Sequence, residues 1–317
     1  MWREMASLLA SLADTPPVLI FVGGVLLMKF MKSDSSKGTR RAVSEHASLN
    51  WGSDGLSEGY AGMTEWWPQH EHIYRYTMFK TLGDLKGKLV LDMPSGEGRF
   101  TEAMLRMGVA GVVAVDLAPK MLELTMERCK AAGLVGSGGG SGTLQPRLCI
   151  VEADACKPMV GAAAVEPCDA ICASFLFEYS TTRAELLQTA VNLFGSAKPG
   201  APLCVIYVPG AKAKSNIAIV KKAVGIEATE LTPSIKPGDP VVVNYVDKRQ
   251  GTKPFSYTIR YWPVEMVAGV LREAGFVDVE VRRLELNPAF DNMTRGFDLE
   301  AFVKASGNRV LVGRRPS

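Results

Sequence analysis

The chain has 317 residues and a formal net charge of +3, with 47% hydrophobic residues. That length and composition suit one large folded domain or two small ones with a sizeable buried core. The near-neutral balance, with no basic run interleaved with aromatics, argues against a nucleic-acid partner. Six cysteines (Cys129, Cys149, Cys156, Cys168, Cys172, Cys204) fall inside the expected core without a C-x-x-C pair, so they read as buried free thiols rather than zinc ligands or disulfides.

At the N-terminus, Val18 to Met28 is wholly apolar or glycine, with Pro16-Pro17 before it and Lys29, Lys32, Lys37, Arg40 and Arg41 after it. A full membrane span needs about 20 apolar residues, so residues 16–31 read as a short single anchor. The positive flank then places the following domain in the cytosol. The alternative is a cleaved leader for a plastid or mitochondrion. Residues 1–32 form this apolar anchor or targeting segment, residues 33–59 a polar flexible linker, and residues 60–317 the folded domain.

The domain opens with an aromatic-dense stretch, Tyr60, Trp66, Trp67, Tyr74, Tyr76 and Phe79, with His70 and His72 among them. A helix is expected after Pro68. From Leu82 onward strands and helices alternate, the pattern of a mostly parallel sheet with right-handed crossovers. Leu89 to Asp92 is a buried strand ending in an acid, followed by Asp92-x-Pro94-x-Gly96-x-Gly98 and a helix with Phe100, Met104 and Met107 on one face. Val112 to Val115 is a second strand, closed by Asp116, and its helix starts after Pro119 and stops at Gly133. Strands follow at Leu148 to Val151, ending near Asp154, and at Cys168 to Phe175. Thr182 and Glu185 have capping-box spacing, and Leu203 to Val208 is the fifth strand. Val241 to Tyr245 and Phe255 to Tyr261 form a hairpin inserted over the carboxyl ends of strands four and five. Pro263 to Ala274 reads as a helix, Phe276 to Arg282 as the sixth strand, and Leu299 to Ala305 as an antiparallel last strand. The low-complexity run GSGGGSG at Gly136 to Gly142 carries no function. The fold class is therefore α/β: a Rossmann-like, seven-stranded, mostly parallel sheet with helices on both faces.

In open α/β sheets the ligand lies at the carboxyl ends of the strands, where Asp92 and Asp116 both stand. Glycines after the first strand allow close backbone approach to a ligand, and an acid closing the second strand can accept from both hydroxyls of a ribose. A nicotinamide dinucleotide would require a third glycine where Thr101 stands, which counts against a dehydrogenase. No Asp/Glu/His cluster has metal-ligand spacing near the expected site.

The acid-loop-glycine segment resembles the first motif of class I S-adenosylmethionine-dependent methyltransferases, although Pro94 replaces the first glycine and removes an N–H. CDAICASFLFEYS resembles the family's fourth-strand motif, SAKPGAPLCVIYV its turn before strand five, and YWPVEMVAGVLREAGFVDVEVRRLELN its closing helix-strand segment. The layout is similar to small-molecule methyltransferases of the toxoflavin-synthase-like kind. The resemblance implies S-adenosylmethionine as cofactor, with Asp92, Ser95, Gly96 and Gly98 around its methionine part and Asp116 on the ribose. Leu117 and Met121 would lie beside the adenine, Asp154 and Ala155 would read the adenine edge, and Ser174 and Phe175 would lie under the sulfonium. It also implies a small-molecule acceptor with a nitrogen, oxygen or sulfur nucleophile. Glu178 and Tyr179 are the candidates for acceptor deprotonation, with His70 and His72 as the alternatives. Trp67, Tyr74 and Tyr245 are candidates for substrate contact, while the aromatic cluster reads equally well as plain core. An NAD(P)-dependent oxidoreductase and a non-catalytic S-adenosylmethionine-binding module are the other functional readings. The inserted hairpin, which would close an acceptor pocket, argues against the second.

Overall fold

The structure is a computed structural model that describes residues 51, 56–64, 67–135, 147–160, 165–246, 255–290 and 296–317. The expected anchor at residues 16–31, Trp66 and the glycine-serine run at residues 136–142 lie outside these residues. Among the described residues no helix is long and apolar enough to cross a membrane.

The strands are β1 (Leu89–Asp92), β2 (Gly111–Asp116), β3 (Arg147–Glu152), β4 (Ala170–Ser174), β5 (Pro202–Tyr207), β6 (Ile226–Ala228), β7 (Pro240–Tyr245), β8 (Phe255–Arg260), β9 (Val277–Arg283) and β10 (Arg309–Arg314). The helices are α1 (Leu56–Thr64), α2 (Tyr76–Leu82), α3 (Arg99–Arg106), α4 (Pro119–Ala131), α5 (Arg183–Gly195), α6 (Lys214–Val224), α7 (Val264–Glu273) and α8 (Leu299–Ala305). Seven strands form one sheet in the order β3-β2-β1-β4-β5-β10-β9, with β10 antiparallel to both neighbours. The helices cover both faces, as the alternating pattern requires. The strands β1, β2, β4 and β5 are nearly continuous apolar runs because each is buried on two faces. Their side chains alternate between two core layers. Val90, Val112 and Cys172 pack with Met78 of α2, Met104 of α3 and Val220 of α6, while Leu91, Val113 and Ile171 pack with Leu186 of α5 and Leu271 of α7.

Three features differ from expectation. Leu299–Ala305 is a helix, not the last strand, and Asp298 caps it by accepting from the Ala301 N–H at 2.9 Å. Leu299, Phe302 and Ala305, the apolar residues at a three-residue interval, are all buried, which is a helical rather than an alternating period. The antiparallel strand is Arg309–Arg314 instead. Second, the insert after β5 is larger than a hairpin: α6 leads into β6, and β6-β7-β8 form a separate antiparallel sheet. Third, α1 begins at Leu56 inside the expected linker, and Trp51 packs on Tyr60 with ring centroids 5.2 Å apart. After Pro68 the chain forms a π-turn, His70–Arg75, that runs directly into α2.

Gly98 precedes α3 with a φ of 84°, the left-handed region that favours glycine. A Cβ on Gly98 would stand 2.8 Å from the Thr125 Cα of α4. Gly98→Ala is therefore expected to destabilise the fold by ~1–3 kcal/mol through overpacking, with backbone strain in addition. Chemical denaturation checks this, and an unchanged midpoint would show that α4 yields freely.

Candidate functional site

The carboxyl ends of β1, β2, β4 and β5 open into one cavity of about 930 Å³. Beneath it, the loop after β1 is held in place by neighbouring elements. Ser95 N–H donates to the Val115 carbonyl at 2.8 Å, and Thr125 Oγ1 donates to the Gly96 carbonyl at 2.8 Å. Asp116 completes the clamp: its Oδ2 accepts from the Gly96 N–H at 2.8 Å and its Oδ1 from the Ala118 N–H at 2.9 Å. Burial pushes the Asp116 carboxyl up to about 6, against the pull of those backbone donors. Each oxygen keeps a second lone pair for a ligand.

Of the expected cofactor residues, Ser95, Gly96, Asp116, Leu117, Met121 and Asp154 line the cavity, as do Ala155, Ser174 and Phe175. Asp92 and Gly98 do not. The Asp92 side chain is fully buried behind the loop, where its Oδ2 accepts from Thr101 Oγ1 at 2.5 Å, and burial pushes its carboxyl up to about 7. Gly98 faces α4. Both lie behind the loop, outside the cavity wall. Asp154 accepts from the Cys156 N–H at 2.9 Å, closing a local turn, and the Ala155 carbonyl accepts from Asn192 Nδ2 at 2.8 Å.

At the end of β4, Phe175 has a φ of 58°. A non-glycine residue there costs of order 1–3 kcal/mol, and such strain concentrates at functional sites. Its ring meets Tyr74 edge-on at 5.1 Å. The short turn that follows holds Glu178, whose Oε1 accepts from the Val208 N–H at 2.6 Å and so ties the ends of β4 and β5 together. Glu178 Oε2 is buried without a hydrogen-bond partner, and burial pushes the carboxyl up to about 8. Ser95 Oγ is likewise buried without a partner. Both residues line the cavity, and a buried polar atom without a protein partner is one that a ligand or an ordered water satisfies.

The far side is aromatic. Trp67 stacks on Tyr245 at 4.5 Å, Tyr245 stacks on Tyr257 at 5.6 Å, and the two tyrosine hydroxyls stand 3.1 Å apart. Tyr179 lines the same wall, and burial raises the phenol of each of these three tyrosines well above its usual value. His70 lies against Trp67, and burial pushes it down to about 3, so it is neutral. His72 is not in the cavity wall; it packs against Phe290 at 4.5 Å.

Sequence reasoning named Tyr60 only as part of the aromatic stretch and did not single out Glu97, Arg99, Lys212, Tyr257 or Asn308; all six line the cavity. Glu97 and Arg99 were the most accessible to it, since they flank Gly98. Glu97 Oε1 accepts from Thr64 Oγ1 at 2.7 Å and from Arg99 Nε at 2.9 Å, joining α1 to the loop. Lys212 and Asn308 lie in segments with no local motif. Among the described residues no group of three or more His, Cys, Asp or Glu side chains could hold a metal.

Residues 90–200 match the family described as "Methyltransferase domain". The chain is 39% identical over 57 residues to a demethylmenaquinone methyltransferase of Tropheryma whipplei, covering 18% of this chain and 23% of that protein. It is 43% identical over 54 residues to an uncharacterized protein of Haemophilus influenzae, covering 17% of this chain and 21% of that one. The chain thus spans under a quarter of the length of these curated relatives. In fold it is similar to a chain from the complex between the Haloferax volcanii Trm112 methyltransferase activator and a methyltransferase, with a TM-score of 0.51, 15% identity and coverage of 85% of this chain and 98% of that one. The CcbJ methyltransferase from Streptomyces caelestis aligns with a TM-score of 0.47 and 18% identity, over 74% of this chain and 86% of its own.

Proposed function

We propose that this chain is a class I S-adenosylmethionine-dependent methyltransferase, takes S-adenosylmethionine as its cofactor and methylates a small, flat acceptor. The reading rests on one observation: a single cavity joins an acid-lined end at β2 and β3 to an aromatic end at the insert, with Ser174 and Phe175 among its lining residues. Cavities of this size, mostly apolar with a few convergent polar groups, suit small molecules.

The residues present fit the cofactor. Asp116 has lone pairs for two ribose hydroxyls, Leu117 and Met121 offer apolar contact for the adenine, and the buried, unpartnered Ser95 Oγ suits the polar methionine part. Asp154 and Ala155 would face the adenine edge. When bound, S-adenosylmethionine supplies an electrophilic methyl: the acceptor's lone pair forms a bond to the methyl carbon while the carbon–sulfur bond breaks and its electrons remain on sulfur. Holding the two reactants aligned and dry can supply ~7–11 kcal/mol of barrier lowering. Glu178 takes the proton that the nucleophile loses; its unpartnered Oε2 is the available acceptor atom. Trp67, Tyr245 and Tyr257 offer stacked ring faces to a flat acceptor, and Tyr74 and Tyr179 add polar edges.

Radiolabelled S-adenosylmethionine incubated with the full-length protein and fractionated metabolites tests the reading. Tyr179→Phe and Trp67→Ala are expected to alter acceptor turnover at least tenfold, with cofactor affinity within threefold of wild type. If both variants keep normal acceptor kinetics, the aromatic cluster is ordinary core and the acceptor binds elsewhere.

A further inference from the structure

Lys212 is buried in the cavity wall at 6% exposure, on the segment between β5 and α6. Its Nζ donates to the Ser306 carbonyl at 2.5 Å and reaches Asn308 Oδ1 at 3.5 Å. Asn308 Nδ2 in turn donates to the Tyr74 hydroxyl at 3.1 Å. Asn308 precedes β10, which runs antiparallel so that Arg309 pairs with Tyr207 at the carboxyl end of β5. Tyr74 arrives from the N-terminal π-turn. Three distant segments therefore meet at one rim of the cavity, at the opposite side of the sheet from Asp116 and Asp154.

A buried ammonium is costly unless a counter-charge or a full set of acceptors compensates it. An ammonium has three N–H donors. One carbonyl is well placed and one amide oxygen lies at the limit of hydrogen bonding, which leaves a donor over. Among the described residues no carboxylate forms an ion pair with Lys212. Capping the carbonyl end of α8 through Ser306 is a structural role such a cation can fill, but it does not neutralise the charge inside the wall. A ligand anion would.

We propose that Lys212, Asn308 and Tyr74 form an anion-reading end of the acceptor site, so that the acceptor is a planar ring system bearing a carboxylate or an ionised hydroxyl. This inference rests on the cavity's being the acceptor site. Lys212 donates to the anionic oxygen, Asn308 fixes the lysine head group, and Tyr74 offers its hydroxyl beside it. The aromatic wall takes the ring. Lys212 is thus a specificity-determining residue, distinct from Glu178, which takes the proton.

The test is calorimetry of 1-naphthoate and its neutral isostere 1-naphthamide on the full-length protein saturated with S-adenosylhomocysteine. Naphthoate is expected to bind at least tenfold more tightly. Lys212→Met should reduce that preference to twofold or less, while naphthamide and S-adenosylhomocysteine bind as in wild type. Asn308→Asp, which gives the lysine an internal carboxylate, should do the same and decides the matter alone if Lys212→Met fails to fold. Naphthamide binding with no preference for naphthoate, or a preference that survives in both variants, overturns the inference and leaves the acceptor site standing. If neither ring binds while S-adenosylhomocysteine does, the acceptor reading itself fails and this inference falls with it.

Discussion

Replacing Asp116 with alanine is expected to weaken S-adenosylmethionine binding by roughly two to four orders of magnitude. Two hydrogen bonds to an ionised carboxylate would be lost, each contributing about 1.5–3 kcal/mol, and 1.4 kcal/mol is about a factor of ten. The structure adds a second contribution. Both Asp116 oxygens already hold backbone N–H groups, of Gly96 and Ala118. Alanine would therefore also release the loop that approaches the cofactor. Calorimetry on Asp116→Ala, with its folding checked by thermal melting, measures the sum. Asp116→Asn separates the parts, because an amide accepts from only one of the two N–H groups and turns a donor toward the other. Unchanged affinity in folded Asp116→Ala would remove Asp116 from the cofactor site.

The second large effect is expected at Glu178. In the proposed role of proton acceptor it must be ionised, and burial holds it up near 8, so acceptor kcat/KM should rise with pH and level off above about 8. Glu178→Gln should lower acceptor turnover by ~10²–10⁴-fold, the usual contribution of a positioned acid or base. It should also flatten that rise and leave cofactor affinity intact. The amide oxygen can still accept from the Val208 N–H, so the tie between β4 and β5 survives. Stability provides an independent readout. A carboxyl whose folded value lies above its unfolded value binds more protons in the native state, so stability falls as pH rises between the two values. For Glu178 that window runs from about 4.5 to about 8. Asp92, near 7, and Asp116, near 6, add falls of the same sign over lower windows. His70, pushed down to about 3, contributes the opposite sign up to about pH 6.5, and Lys212, pushed down to about 8, does so above pH 8. The melting temperature of the ligand-free protein should therefore decline between about pH 6.5 and pH 8, less steeply in Glu178→Gln. An unaltered pH-rate profile in the variant would exclude Glu178 as the base.

Much of this site is legible in the sequence because its parts are local. The first strand, its glycine loop and the following helix lie within one short stretch, and the second strand with Asp116 comes directly after. Turn chemistry, helix caps and continuous apolar runs all act over neighbouring residues, so the succession of strands and helices along the chain and the acid at the end of β2 follow from pattern alone. The same holds for the aromatic stretch near residues 60–80 and for the two β-rich runs of the insert. Locality also explains why Leu299–Ala305 invited misreading. Its apolar residues suit a buried strand as well as a short helix, and the Asp298 cap with the three-residue spacing separates the two only when both are weighed together.

Tertiary structure alone decided which of these residues face the cavity. Asp92 and Asp116 both close strands, yet pairing and packing turn Asp92 toward Thr101 behind the loop and leave Asp116 in the cavity wall. The desolvation that shifts Glu178 depends on which elements cover it, and no local pattern encodes that. Lys212, Asn308 and Tyr74 are separated by up to 234 positions and meet only because β10 enters the sheet antiparallel beside β5. Sequence periodicity reports which face of an element is apolar; it does not report which distant element will cover that face, and that covering sets the chemistry of this end of the cavity.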